Sequence, residues 1–173
     1  MNISFKPVSK WAVFAAVIAA ALFWLSALRN KSGFLLLDHV NLPFHEFGHI
    51  FFSPFGEFTG ILGGTIMQLA IPFGIMILFV LKGETAGAAF CAFWLGENLL
   101  NISVYMADAR RMILPLVGGG EHDWNILFYK VHLLRYDTVI AKIVRFVGWL
   151  IMILSLVWFV IMGLRKKEEE EGY

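Results

Sequence analysis

Four long runs with almost no charged residues divide the chain. They cover residues 11–28, 58–81, 85–107 and 146–164, and the only charge within them is Glu97. A helix rises about 1.5 Å per residue and the hydrocarbon core of a bilayer is about 30 Å thick, so about 20 apolar residues cross it. Because backbone polar groups in lipid must be satisfied within the segment, each run is predicted to be a transmembrane helix.

A fifth apolar segment, residues 33–53, is interrupted by polar side chains. Its middle holds Asp38, His39, Asn41, His45, Glu46 and His49. Pro43 should kink or restart a helix here, and Pro54 should end it. Ionisable groups at membrane depth turn toward the bundle interior or a wet cavity, and they usually mark function. We therefore expect this kinked helix to carry the chemistry of the protein.

The rest of the chain is more polar. Residues 109–145 are predicted to form a loop, with a triple glycine at 118–120 and an amphipathic stretch at 126–136 that suits the membrane interface. Residues 165–173 form a charged tail. The first apolar run is longer than the core of a signal peptide and lacks a clear cleavage pattern, so it is interpreted as an uncleaved anchor. The positive charges leave the membrane orientation open.

Composition agrees with a membrane protein. Hydrophobic residues make up 59% of the 173 positions and charged residues 16%, whereas a soluble domain is about half apolar and a quarter charged. The net charge of +1 argues against nucleic acid as a partner, and a single cysteine excludes an internal disulfide.

The predicted fold is therefore an all-α membrane protein with one polytopic domain over residues 1–173. We expect a bundle of four long transmembrane helices plus one kinked membrane helix, in a multi-pass protein whose expected location is the cell membrane. The lipid bilayer is a partner of such a chain, while the sequence does not indicate an oligomeric state.

The kinked helix contains His45-Glu46-Phe47-Gly48-His49, the pattern H-E-x-x-H. Histidines four residues apart share one helix face, about 5–6 Å apart at their Cβ atoms, so both imidazoles can bind one metal ion. The glutamate can then take a proton from a metal-activated water. Random sequence of this composition would contain the pattern with a probability of about 0.7%, so the match favours a metal site.

A short multi-span chain with HEFGH in an apolar helix resembles the site-2 protease class of intramembrane zinc metalloproteases. The resemblance implies that the protein cleaves membrane-protein or peptide substrates in or near the bilayer, with Zn²⁺ as cofactor. It implies that His45 and His49 are zinc ligands and that Glu46 is the general base. It also implies a third ligand, an aspartate on a later transmembrane segment.

Asp108 is the predicted third ligand. The family pattern usually reads N-x-x-P-x-x-x-L-D-G, and here the string NLLNISVYMADAR places Asp108 ten residues after Asn98, with Asn101 instead of the proline and no following glycine. Glu97, Asn101, Tyr105 and Asp108 also lie within about 80° of one helix face, which favours an inward polar stripe. The alternatives are Glu97 and, in the loop after the triple glycine, Glu121, His122 and Asp123.

Three further polar residues are interpreted as supporting the site. Asp38 precedes His45 by seven residues on nearly the same face, where it can accept a hydrogen bond from a ligand imidazole. The resemblance implies that polar groups near Gln68 and Asn101 hold the substrate backbone. Gly60, Gly63 and Gly64 beside Gln68 are small enough to let helices approach closely.

Two other classes of protein fit parts of the pattern. The spacing of His45 and His49 also fits a histidine box of membrane di-iron enzymes, but these need more histidines than the five present. A catalytically inactive relative that binds metal or membrane-protein partners is the main alternative. Glu46 argues against it, because a zinc site that only binds does not need this carboxylate. The sequence therefore predicts a zinc metalloendopeptidase.

Overall fold

The computed structural model describes residues 3–30, 34–116 and 121–171, and every regular element in these ranges is a helix. Short 3-10 turns occupy Ser53–Phe55 and Leu134–Tyr136. The six α-helices are α1 (Lys10–Arg29), α2 (Asp38–Phe52), α3 (Glu57–Leu81), α4 (Thr85–Ala107), α5 (Asp123–Lys130) and α6 (Asp137–Glu171).

Three stretches of the described chain are long and apolar enough to cross a membrane: Lys10–Arg29, Glu57–Leu81 and Leu134–Arg165. The first two agree with the predicted runs to within one residue at each end. The third begins earlier than the predicted start at residue 146, so the loop expected over 109–145 is shorter than predicted. The charges of Lys142 and Arg145 favoured a loop in this region. However, no proline or glycine interrupts α6 between residues 137 and 145.

Helix α4 lies at the centre of the bundle. It packs most extensively against α6 and also contacts α2, α3 and α5. Gly96 faces α6 so closely that a Cβ atom there would lie 2.7 Å from the carbonyl oxygen of Gly148. Its bounds match the predicted run 85–107, although it is less apolar than the three stretches above. Because neighbouring helices cover much of its surface, α4 can bury the polar residues Glu97 and Asn98, both of which are 0% exposed.

Helix α2 is shorter than the predicted segment 33–53. It begins at Asp38, runs through Pro43 without restarting there, and ends at Phe52, before Pro54 as predicted. Its 15 residues span about 22 Å, less than the hydrocarbon thickness. A Cβ atom on Gly48 would lie 2.2 Å from the carbonyl oxygen of Gly63, so the backbones of α2 and α3 are in direct contact. This contact lays the histidine face of α2 on the first turns of α3.

Helix α5 returns the chain to this pair. Trp124, Leu127 and Phe128 are buried against a cluster that includes Ile102 and Met106 of α4. The amphipathic stretch predicted over 126–136 is divided, because the helix ends at Lys130 and the chain turns at His132, whose φ is 58°. The triple glycine at 118–120 lies outside the described residues. The packing of α5 carries its first residue, Asp123, to the face shared by α2 and α3.

Candidate metal centre

His45 and His49 of α2 meet Asp123 of α5. One carboxylate oxygen of Asp123, Oδ2, lies 3.0 Å from Nε2 of His45 and 3.3 Å from Nε2 of His49. The three side chains are partly buried, and one ligand atom from each lies within 4.8 Å of the others. Among the described residues this is the group of His, Cys, Asp and Glu side chains with the geometry to hold a metal ion.

The second ring nitrogen of each histidine is already engaged. Nδ1 of His45 lies 3.0 Å from Oε1 of Gln68, and Nδ1 of His49 lies 2.9 Å from the carbonyl oxygen of Gly60. Both partners are acceptors, so each Nδ1 carries a proton and donates it. Nε2, the atom that faces Asp123, is then the position at which either a second proton or a metal ion can bind. Partners of this kind fix the tautomer and ring orientation of histidines that bind metals.

Gly64 keeps the space in front of the histidines open. A Cβ atom at this position of α3 would lie 2.7 Å from Nε2 of His45 and 2.7 Å from Nε2 of His49. Any larger residue would therefore push against both nitrogens. Two imidazoles and a carboxylate are a donor set that Zn²⁺ accepts, so the residues present fit the ion that the sequence predicts.

Both the backbone N–H and the carboxylate of Asp123 are hydrogen-bonded. Its backbone N–H donates to the hydroxyl oxygen of Tyr105 at 3.1 Å, which fixes the start of α5 against α4. Burial alone would raise the pKa of the Asp123 carboxyl, but the hydrogen bonds from His45 and His49 outweigh it and hold the pKa below its usual value. Asp123 is therefore charged at neutral pH, which is the form that binds a cation.

Glu46 lies beside this group and is exposed. It follows His45 in α2 and is not one of the three potential ligands. An exposed carboxylate can exchange protons with water.

Asp108, the predicted third ligand, is engaged elsewhere. Because α4 ends at Ala107, Asp108 follows the helix and its Oδ2 accepts hydrogen bonds from the N–H groups of Ile113 and Leu114, both at 2.9 Å. The same oxygen lies 3.6 Å from Nε2 of His122. The helical stripe that favoured Asp108 thus ends one residue too early, and the structure brings Asp123 to the histidines instead.

Of the alternative ligands, Asp123 is in the group, and the other three are not among its members. Glu121 is exposed, and Nδ1 of His122 accepts from the N–H of Asn125 at 3.2 Å, while burial lowers the pKa of this histidine. Glu97 is 0% exposed and accepts a hydrogen bond from Asn41 at 3.0 Å.

The three supporting residues are placed differently from one another. Gln68 contacts His45 directly, and its amide donates to Asn101 at 3.1 Å. Asp38 accepts from the N–H of Leu35 rather than from a ligand imidazole. The predicted contact of Gln68 and Asn101 with a substrate stays a prediction.

Two glycines of α3 contribute to the site beyond close helix packing. Gly60 supplies the carbonyl that orients His49, and Gly64 supplies the open space in front of both rings. They are four residues apart, as are His45 and His49 on α2, so the two pairs face each other turn by turn. This matched spacing was a signal in the sequence.

Comparisons of the chain with protein-family models, curated proteins and solved structures give no significant match. The helices and the site are therefore the observations that bear on the class of protein. Every regular element of the described residues is a helix, and three stretches are able to cross a membrane. An H-E-x-x-H helix carries two of the three residues that have metal-binding geometry.

Proposed function

We propose that this chain is a multi-pass membrane-embedded zinc metallopeptidase that cleaves peptide bonds of membrane proteins in or near the bilayer. The observation that carries the proposal is the approach of His45, His49 and Asp123 to one point, with both Nδ1 atoms engaged elsewhere. Catalytic zinc sites commonly use three protein ligands of this chemistry and keep a further position for water or substrate.

The proposed roles follow from the positions of the side chains. His45, His49 and Asp123 would hold the ion. Zinc bound there supplies a Lewis acid that acidifies water and polarises a peptide carbonyl. Glu46 accepts the proton of the attacking water on its carboxylate and returns it to the leaving amine. Tyr105 keeps Asp123 in place through the backbone of α5.

The proposed membrane arrangement adds α4 as a fourth span and α2 as a kinked helix within the bilayer. Helix α4 has 23 residues, about 34 Å, and its polar residues are covered by neighbouring helices. Helix α2 is too short to cross alone but carries exposed Phe47, Ile50 and Phe51, which suit contact with lipid. A catalytic site at this depth favours substrates that are themselves membrane proteins.

Metal content tests the centre. Protein purified in detergent and supplied with zinc should contain about one zinc per chain by mass spectrometry. His45→Ala and Asp123→Ala should lose it, whereas Asp108→Ala should retain it. Loss in Asp108→Ala with retention in Asp123→Ala would restore the ligand set first predicted. A wild-type chain that takes up no zinc would overturn the proposal.

A second experiment tests catalysis. Membranes containing the wild-type chain should gain new protein N-termini within or near hydrophobic segments, as identified by mass spectrometry. Glu46→Gln should keep zinc and produce none of them, whereas Glu57→Gln should behave as wild type, because exposed Glu57 pairs with Lys130 instead. Equal sets of N-termini from wild type and Glu46→Gln would favour a catalytically inactive metal-binding protein.

A further inference from the structure

A cavity of about 310 Å³ lies between the end of α1, the residues before α2, and the helices α4 and α6. Its walls are apolar at Leu28, Leu100, Val104 and Trp149, and its polar lining includes Arg145 and Asn101. Pockets that hold small ligands commonly enclose about 300–1,000 Å³. The cavity shares no residue with the proposed metal centre, so it can hold a ligand of its own.

Arg145 has no counter-charge in the described part of the chain. It is exposed where it lines the cavity, and its side chain makes no ion pair or hydrogen bond with a described residue. Arg110, by contrast, has Nη2 at 2.7 Å from Oδ1 of Asp137. A guanidinium group presents its N–H donors in a planar fork that matches the oxygens of phosphate and carboxylate groups. Arg145 is therefore free to bind an anion supplied from outside the chain.

With α6 across a bilayer, Arg145 stands at the level of the lipid phosphates. The uncharged run of α6, residues 146–164, begins immediately after it and has 19 residues. This is about 28 Å of helix, close to the hydrocarbon thickness of about 30 Å. Trp149 lies one turn inside this boundary and contacts Trp24 of α1, with ring centroids 6.3 Å apart. Tryptophan is enriched at the membrane–water interface, which agrees with this level.

The surface beside the cavity suits a lipid better than a soluble anion. Leu28 at the cavity is 75% exposed, and Leu25 of α1 and Leu150 of α6, on the hydrocarbon side of it, are 48% and 43% exposed. Acyl chains can cover these side chains while the headgroup enters the cavity. Arg29 and Lys142 are exposed near the same boundary and have no acidic partner among the described residues. Basic residues at this level favour a headgroup with a net negative charge.

We propose that this cavity binds the phosphate group of an anionic phospholipid, with Arg145 as its main ligand and the acyl chains on the exposed leucines of α1 and α6. Asn101 offers the NH₂ group of its amide, because its oxygen already accepts from Gln68 at 3.1 Å. The inference goes beyond the proposed function and does not depend on zinc. A chain without a metal ion should therefore bind the lipid equally well.

The test is native mass spectrometry of the full chain in detergent with equal amounts of added phosphatidylglycerol and phosphatidylcholine. Wild type should retain about one phosphatidylglycerol per chain in preference to phosphatidylcholine. Arg145→Gln should bind phosphatidylglycerol about tenfold more weakly, because it loses charge-assisted hydrogen bonds to the phosphate. Arg165→Gln is the matched control, since Arg165 ends the same uncharged run on the other side of the bilayer, away from the cavity. It should stay within about twofold of wild type.

A second pair of variants tests the cavity and leaves Arg145 unchanged. Ala27 of α1 lines the cavity, so the ring of Ala27→Phe should fill part of it and displace the headgroup. Binding of phosphatidylglycerol should then fall about tenfold, as in Arg145→Gln. Ala19→Phe is the control, because Ala19 is exposed on the same helix and does not line the cavity.

Each other result overturns the inference. Equal losses in Arg145→Gln and Arg165→Gln would show a general attraction of the interface for anionic lipid, and wild-type binding in Ala27→Phe would place the lipid elsewhere. Added glycerol 3-phosphate should leave the lipid bound, so its displacement would assign the cavity to a soluble phosphate. Displacement by a peptide with an acidic side chain, and not by glycerol 3-phosphate, would assign it to a protein partner.

Discussion

Asp123 and Asp137 occupy similar positions in the fold but have different hydrogen-bond partners. Each is the first residue of a helix, and each has a side chain that is largely buried, with 14% and 1% of its surface exposed. Asp137 receives the guanidinium group of Arg110 on both oxygens, at 2.8 Å and 2.7 Å. Asp123 receives two imidazole nitrogens on a single oxygen.

The difference lies in how completely each charge is compensated. Arg110 is permanently charged and neutralises Asp137 with fixed, two-pronged geometry, so that pair needs nothing further. His45 and His49 can satisfy Asp123 only while each Nε2 carries a proton, and a metal ion can take the place of those protons. A divalent cation satisfies all three groups together. The comparison therefore separates a structural ion pair from a binding centre by whether the partners of the carboxylate can give up their protons to a metal ion, not by burial.

The largest effect on zinc binding is expected when the carboxylate of Asp123 is replaced. Asp123→Asn should weaken zinc binding at least about a hundredfold, equivalent to about 2.8 kcal/mol, because a charged ligand becomes a neutral one. Asp137→Asn should leave the zinc affinity unchanged, since its partner is Arg110. The measurement is chelator competition with both variants. Equal losses of affinity in the two would show that burial of the carboxylate, and not its partners, decides binding.

The sequence predicted the bounds of the long helices well because residues that cap or end helices stand at those bounds. Helix α1 lies between Ser9, whose side chain accepts from the N–H of Ala12 at 3.1 Å, and a break after Arg29. Helix α3 ends before Gly83, whose φ of 67° suits glycine. The start of α6 was missed because a charged but helical stretch precedes the apolar run, and hydropathy does not distinguish that stretch from a loop.

The site was predicted where it depends on one helix and not where it depends on packing between helices. His45, Glu46 and His49 share α2, so their spacing alone indicates a common face. The third carboxylate comes from a different helix, and its approach depends on how α5 packs against α4. Asp123 was one alternative among several, because periodicity within α4 favoured Asp108 and contains no information about where the following loop returns.

Removal of zinc should lower the free energy of unfolding of the wild-type chain. At free zinc of about a hundred times the dissociation constant, binding to the folded state adds about 2.7 kcal/mol to the free energy of unfolding. A chelator should remove this increment from wild type and from Asp137→Asn, whereas Asp123→Asn, with zinc binding at least about a hundredfold weaker, should lose at most about 0.4 kcal/mol. Thermal unfolding in detergent with and without chelator measures it. A chelator effect of equal size in Asp123→Asn would place the ion elsewhere in the molecule.

A smaller effect is expected from the space in front of the histidines. Gly64→Ala puts a methyl group where Nε2 of both rings lies 2.7 Å away, so the rings must shift and zinc should bind about tenfold more weakly. Gly74→Ala in the same helix is the matched control, because nothing lies within 4 Å of its added Cβ atom. The same zinc competition assay compares them. Wild-type affinity in Gly64→Ala would mean that the rings do not need this space to bind the ion.

The smallest effect is expected at the exposed end of α5, where Nζ of Lys130 lies 2.7 Å from Oε2 of Glu57 on α3. Both side chains are exposed, at 36% and 71%, so Lys130→Met should lower the free energy of unfolding by less than about 1 kcal/mol. The zinc affinity should not change, because buried Leu127 and Phe128 hold α5 against the bundle and thereby position Asp123. Chemical unfolding and zinc competition on the same preparation measure both quantities. A tenfold loss of affinity would show that this exposed pair, rather than the apolar contact, brings the third ligand to the histidines.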